Sequence, residues 1–184
     1  MATTTVVMVG SIAVLIFWAV GAYNRLVRLK SAIASAFVQI DVQLKHQYEL
    51  IVNLVEAAKP HVGQGHETLQ AILAARNVAK SAADAVRVRP TSPAAVTTLA
   101  AGEQALSSSL SQLFVWNETN PDLTSDVTIQ KLREALASSE NKVTFARQAF
   151  NDAVLNYNHA QGQFPALLVA KSFSFEPAAT LPAT

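Results

Sequence analysis

Seventeen consecutive residues near the start of the chain, Val6 to Ala22, carry no charge. Thr3, Thr4, Thr5 and Tyr23 extend the run to about 20 residues, enough for a helix to cross a bilayer. Trp18 and Tyr23 lie toward its end, where aromatic rings favour the headgroup region. Arg25, Arg28 and Lys30 follow directly, and no basic residue precedes the run. This asymmetry predicts a retained span with the C-terminal bulk cytoplasmic and the short N-terminus outside. A cleaved signal peptide would need its positive charge on the other side.

The rest of the 184 residues must fold with what remains. Only 15% of the chain is charged, against about 25% in ordinary soluble domains. Net charge is +1, so no global field points to nucleic acid. There are no cysteines, hence no disulfide framework, thiolate metal site or cysteine nucleophile.

Beyond the span, Leu26, Leu29, Ile33, Phe37, Ile40, Leu44, Tyr48, Ile51, Val55 and Ala58 recur at steps of three and four, the signature of one helical face. From Ala22 to Lys59 neither Gly nor Pro intervenes, which predicts one rod running from membrane to cytoplasm and ended by Pro60, Gly63 and Gly65. A second helix is expected from about His66 to Arg87, with Leu69, Ile72, Leu73, Ala79 and Val86 inward. Ser92 and Pro93 then suit the cap and first position of a third. That helix carries Val96, Leu99, Leu106, Leu110, Leu113 and Phe114 and stops near Trp116, before the turn-rich 117–122. The fourth runs from about Asp126 to Phe164 with Ile129, Leu132, Leu136, Val143, Ala146, Phe150, Ala153 and Tyr157 on one stripe, and Pro165 closes it.

The expectation is an all-α chain: an anchor over 1–23, an antiparallel up-down four-helix bundle over 24–164, and a C-terminal apolar segment with a Pro/Ala-rich tail over 165–184. Helices one (past the span) and four would be about 55 Å long and helices two and three about 35 Å. The 88–93 turn would then hang about 20 Å short of the bilayer, leaving a two-helix stalk. Val27, Ala32, Ala36 and Val38 on that stalk are surplus apolar surface, read as contacts with a second copy. The same topology returns Phe164, Leu167, Leu168, Val169, Phe173 and Phe175 toward lipid.

The residues also resemble a known family. Tyr23-Asn24-Arg25-Leu26-Val27, Gln39-Ile40-Asp41-Val42-Gln43-Leu44, Leu50-Ile51-Val52-Asn53-Leu54-Val55 and Ala75-Arg76 match it in order. So do Asn120-Pro121-Asp122-Leu123, Glu140, Ala146-Arg147, Phe150-Asn151-Asp152-Ala153-Val154, Tyr157-Asn158 and Phe164-Pro165, with Phe173 and Phe175 at the end. On these residues the chain resembles the LemA family. The resemblance implies a bacterial, membrane-anchored, mostly four-helix protein of the inner membrane, without established catalytic chemistry. It departs from the family pattern at Val52, at Gln47-Tyr48-Glu49 and at Phe150.

No catalytic constellation is recognisable. A carboxylate di-metal bundle needs paired Glu-x-x-His segments, and none occurs; His46 and Glu49 stand in the reverse order. His61 and His66 flank the first loop. Ser107, Ser108, Ser109 and Ser111 lack a paired base and read as a solvated face or close helix contact. No phosphate loop, zincin motif or nucleophile elbow is present. Catalytic, cofactor and metal sites are therefore expected to be none. Arg76, Glu140, Arg147, Asn151 and Asn158 read as a polar network fixing helix register, with Arg147 or Arg76 paired to Glu140. The alternative reading of these residues is a binding cleft.

The function these features suggest is a membrane-anchored structural scaffold, self-associating through its helices to organise or remodel the bilayer. The alternative is a monomeric or dimeric adaptor presenting a bundle face to another membrane protein. Expected partners are membrane lipid, further copies of the chain and a second membrane protein, and not nucleic acid; no enzymatic activity is expected.

Overall fold

The computed structural model describes residues 2–61, 66–119 and 121–182. Among them there is no strand. The elements are α1 (Ala2–Ala58), α2 (His66–Val88), α3 (Pro93–Thr119), α4 (Pro121–Ser125), α5 (Val127–Gly162) and α6 (Ala166–Ser172). At 1.5 Å per residue α1 is a single rod of about 85 Å, running unbroken from the apolar run into the folded body. A short 3-10 turn, Lys59–His61, follows it. Gly63 and Gly65, expected to help end the rod, lie outside the described residues.

The first part of α1 is long and apolar enough to cross a membrane. Its most apolar 18-residue window has a mean hydropathy of 2.3, and none of that window is buried within the protein. From Leu26 onward the rod changes character. Leu26, Ile33, Phe37, Ile40, Leu44, Tyr48, Ile51, Val55 and Ala58 are all buried, and Leu29 is half-buried. The three-and-four spacing therefore sets a core stripe, which α5 covers with Ile129, Leu136, Val143, Ala146, Phe150, Val154 and Tyr157. Phe37 and Phe150 meet edge to face, ring centroids 5.9 Å apart, a favoured aromatic geometry.

The second close pair is α2 with α3, and α2 also packs on α1. Gly102 makes the α2–α3 approach possible: a Cβ there would stand 3.2 Å from the Ala79 Cα. A polar tie joins α1 to α2. The Asp41 carboxylate, nearly buried, meets Lys45 at 2.7 Å and Arg87 at 3.8 Å, and Arg87 also reaches Asp84 at 2.8 Å.

Three sequence expectations are corrected. The turn-rich segment after Trp116 is largely helical, since α3 continues to Thr119 and Pro121 opens α4. Proline's missing N–H costs nothing at a first helical position, and burial of Leu123 holds α4 down. Asp126 then caps α5, its Oδ1 accepting from the Thr128 and Ile129 amides at 2.7 and 3.2 Å, with the His61 ring at 3.2 Å from Oδ2. Those two amides, Ile129's first, hold the Asp126 carboxyl below its ordinary value.

The second correction concerns the segment over 165–184, read as an apolar stretch and tail: α5 ends at Gly162, before Pro165 as expected, but a further helix, α6, follows and packs on α1 and α5. The third follows from it. Next to the apolar run, α1 and α5 are not a bare two-helix stalk. Val169 and Ala170 cover Leu26, Ala160, Ala22 and Ala19. The 88–93 turn shares a hollow with Lys30, Tyr157, Ser174 and Glu176. Lys30 is seven residues past Tyr23, so the turn lies about 10 Å along the rod, closer than helix lengths alone suggested.

Candidate functional groove and its C-terminal strap

α3 and α5 do not pack closely on one another. Between them runs a groove of ≈ 520 Å³ lined by Tyr48, Gln47, Glu103, Ser107, Glu140 and Arg147, with Pro182 of the tail at one end. Across it Arg147 donates to the Glu103 carboxylate. Arg147 is 7% exposed, and a charge so deep requires a partner. Burial pushes the Glu103 carboxyl above its ordinary value, while Arg147 opposes the rise. On the floor, the Tyr48 hydroxyl is buried with no hydrogen-bond partner among the described residues. Burial, with the Glu103 charge next, raises its pKa. Arg76 lies over the Tyr48 ring at 5.8 Å and its Nε donates to the Tyr48 carbonyl at 3.4 Å.

The polar residues singled out in the sequence thus separate into different partnerships. Arg147 pairs with Glu103, not with Glu140, which is exposed on the groove's rim. Arg76 sits on Tyr48 and Asn77. Asn151 and Asn158 hold the C-terminal segment. The Asn158 side chain donates to the Ala178 carbonyl at 2.8 Å and accepts from the Ala178 amide at 2.9 Å. Asn151 does the same with Leu181, at 2.8 and 2.9 Å. Tyr157 donates to the Glu176 carbonyl at 3.0 Å and Gln161 to that of Phe175.

The spacing explains why a helix can read an extended strap in this way. Seven helical residues, Asn151 to Asn158, advance about 10.5 Å. Three residues of an extended polyproline-like chain, Ala178 to Leu181, advance about 9.3 Å. A three-residue period also turns Phe175, Ala178 and Leu181 to the same side. Ala178 and Leu181 are buried, Phe175 is half-buried against the core, and Glu176, Pro177 and Thr180 face out. The strap therefore fills part of the space that α3 leaves beside α5.

Asp41, Ser139 and Gln161, which are buried, and Glu103, which is half-buried, were missed as inward polar groups. The signal was present: Glu103 falls on the stripe of Leu99, Leu106, Leu110 and Leu113, at a position that must face inward. The remaining candidates are accounted for simply. Ser108, Ser109 and Ser111 bond back to the carbonyls four residues before them. His46 and Glu49 are exposed. Among the described residues no three His, Asp or Glu side chains converge as a metal site would need.

Of the surfaces read as contacts between copies, Val27, Ala32 and Val38 are exposed and Ala36 is half-buried against the core. Of the residues expected to return toward lipid, Phe164, Leu168 and Phe173 are exposed, while Leu167 and Phe175 are half-buried and Val169 is buried.

The model of the LemA family matches residues 36–184, beginning beyond the Tyr23–Val27 stretch and covering most of the chain. No curated protein matches the sequence.

Proposed function

The chain belongs to the LemA family, and from that premise we propose that it is a membrane-anchored structural protein which self-associates side by side to organise or remodel the bilayer. The observation that carries the reading is a line of apolar residues on the outer side of α1. Val27, Val38 and Val42 are 39%, 50% and 54% exposed. An 11-residue step brings a helix back to nearly the same face, so Val27 and Val38 are aligned, with Val42 one turn on. They share one rod with the apolar run. Phe145, 75% exposed, borders the adjacent α1–α5 groove with Gln39 and Gln43. Exposed apolar surface of this kind is favoured as contact surface.

In this reading the helices form an antiparallel up-down bundle standing on an inner-membrane anchor, N-terminus outside and body cytoplasmic. Lipid and further copies are the partners, and the protein performs no chemistry of its own. The apolar run followed by Arg25, Arg28 and Lys30 supports that orientation.

Light scattering on the full chain in mild detergent, with electron microscopy of the same sample, tests the proposal. Large regular particles are expected, and Val38→Glu with Val42→Glu should disperse them without lowering the melting temperature. A strictly monomeric particle defeats it. The alternative, an adaptor presenting a bundle face to another membrane protein, would instead yield one stoichiometric partner on mild extraction.

A further inference from the structure

Where α1 leaves its apolar run, the protein carries an apolar face that none of the described residues covers. α6 buries Ala166, Val169 and Ala170, whereas Phe164, Leu168 and Phe173 remain 80%, 56% and 61% exposed. The buried side of α6 rests on Ala19, Ala22 and Leu26, and the Phe173 ring lies 4.9 Å from that of Tyr23. Ala19 and Ala22 belong to the charge-free run itself. α6 is therefore level with the end of the run, and a bilayer that takes in α1 as far as Tyr23 meets α6 at its boundary.

Charge at this end gives a second, independent observation. Arg25, Arg28, Lys30 and Lys171 are exposed, and none has an ion-pair partner among the described residues. No acidic residue occurs before Asp41, and none between Asp152 and Glu176. Aromatic and aliphatic side chains at the same height as unpaired cations suit the headgroup boundary, where rings rest at the acyl edge and cations reach phosphate.

We propose that α6 lies in the headgroup boundary of an anionic phospholipid bilayer, with Phe164, Leu168 and Phe173 at the acyl edge and Arg25, Arg28, Lys30 and Lys171 on headgroup phosphates. The proposal rests on the membrane-anchor reading and adds a second lipid contact from the other end of the chain. Lipid is favoured over a protein partner because this face continues directly from the apolar run.

The test uses the full chain in phosphatidylcholine–phosphatidylglycerol vesicles whose acyl chains are brominated near the headgroup or deep. Trp116→Phe leaves Trp18 as the sole tryptophan, excited selectively over the tyrosines, and reports the anchor. Leu168→Trp, with Trp18→Phe and Trp116→Phe, reports α6; Phe145→Trp in the same background reports the distal body. The expected result is strong quenching at positions 18 and 168, the latter greatest with shallow bromines about 5–10 Å beneath the headgroups, and none at position 145. An unquenched indole at 168 beside a quenched Trp18 overturns the α6 contact and leaves the anchor standing. An unquenched Trp18 removes the anchor and the proposal together. Spin-labelled phosphatidylglycerol should be immobilised by the wild type several-fold more than spin-labelled phosphatidylcholine. Arg28→Gln with Lys171→Gln should reduce that preference, and Arg28→Lys should keep it. Equal immobilisation of the two lipids by the wild type overturns the phosphate contact.

Discussion

Asn151 grips Leu181 by both edges of its side-chain amide, Nδ2 donating to the carbonyl at 2.8 Å and Oδ1 accepting from the amide at 2.9 Å. This is how one strand of a ladder holds the next, except that a helix side chain supplies both groups. Asn158 repeats it one heptad later on Ala178. A chain segment without regular structure thereby satisfies backbone groups that are partly withdrawn from water.

Asn151→Ala removes two such bonds and strands the Leu181 backbone. It is expected to destabilise the strap by about 1–3 kcal/mol. Asn151→Asp keeps the acceptor but turns the donor to the Leu181 carbonyl into a repelling oxygen, and should release the strap as well. Hydrogen exchange at the Leu181 and Ala178 amides measures this. Faster exchange confined to the tail is the expected outcome; unchanged protection in both variants would contradict the clamp.

Arg147→Ala leaves Glu103 charged and nearly buried without its cation. Breaking a buried pair from one side costs about 3–5 kcal/mol, which denaturant unfolding should register. The double replacement Glu103→Leu with Arg147→Met removes both charges while keeping volume, and should recover most of the loss. If Arg147→Ala and the double variant unfold at the same midpoint, the pair is not what holds α3 to α5.

The same pair gives a pH signature. Burial raises the Glu103 carboxyl above the ordinary 4.5, so the folded state retains a proton that the unfolded chain has already released. Stability from this group is complete below 4.5 and falls as pH rises through the folded value. Asp126 runs the opposite way: its lowered carboxyl favours the fold above 3.8 and ceases to do so as pH falls through the folded value. Glu103→Gln should therefore flatten the decline above 4.5 and leave the acid limb below 3.8 in place. Melting across pH, compared between wild type and variant, decides it; identical slopes above 4.5 would refute the assignment.

Tyr48→Phe is expected to be neutral or to stabilise by up to about 1 kcal/mol, because it deletes a buried hydroxyl that has no partner among the described residues. The ring, its packing and the Arg76 contact are kept. A loss of more than about 1 kcal/mol in chemical denaturation would mean the hydroxyl makes a bond of ordinary worth.

Much of the architecture was legible in advance. The residues assigned to inward stripes on α1, α2, α3 and α5 are buried or half-buried in the structure, since a helix repeating apolar positions at three and four has one face to hide. The misreadings share a cause. At 117–125, Asn, Thr, Pro and Asp are common turn formers, but Pro can open a helix and Leu123 supplies an apolar anchor. At 166–172, α6 is too short for its pattern to stand out beside a Pro/Ala-rich tail.

The polar groups show the same division more sharply. Periodicity placed Arg147, Asn151 and Asn158 beside the core stripe of one helix, because side-chain direction on a helix follows from local backbone geometry. Their partners lie far away in sequence, Glu103 on α3 and Ala178 and Leu181 on the strap. Pairing across such distances depends on how α2 and α3 stand against α1 and α5, and on a gap beside α5 wide enough for an extended chain. No helical pattern encodes that gap. It arises because α3 packs on α2 through Gly102 and does not close onto α5, so long-range packing chose the partners that the local code left open.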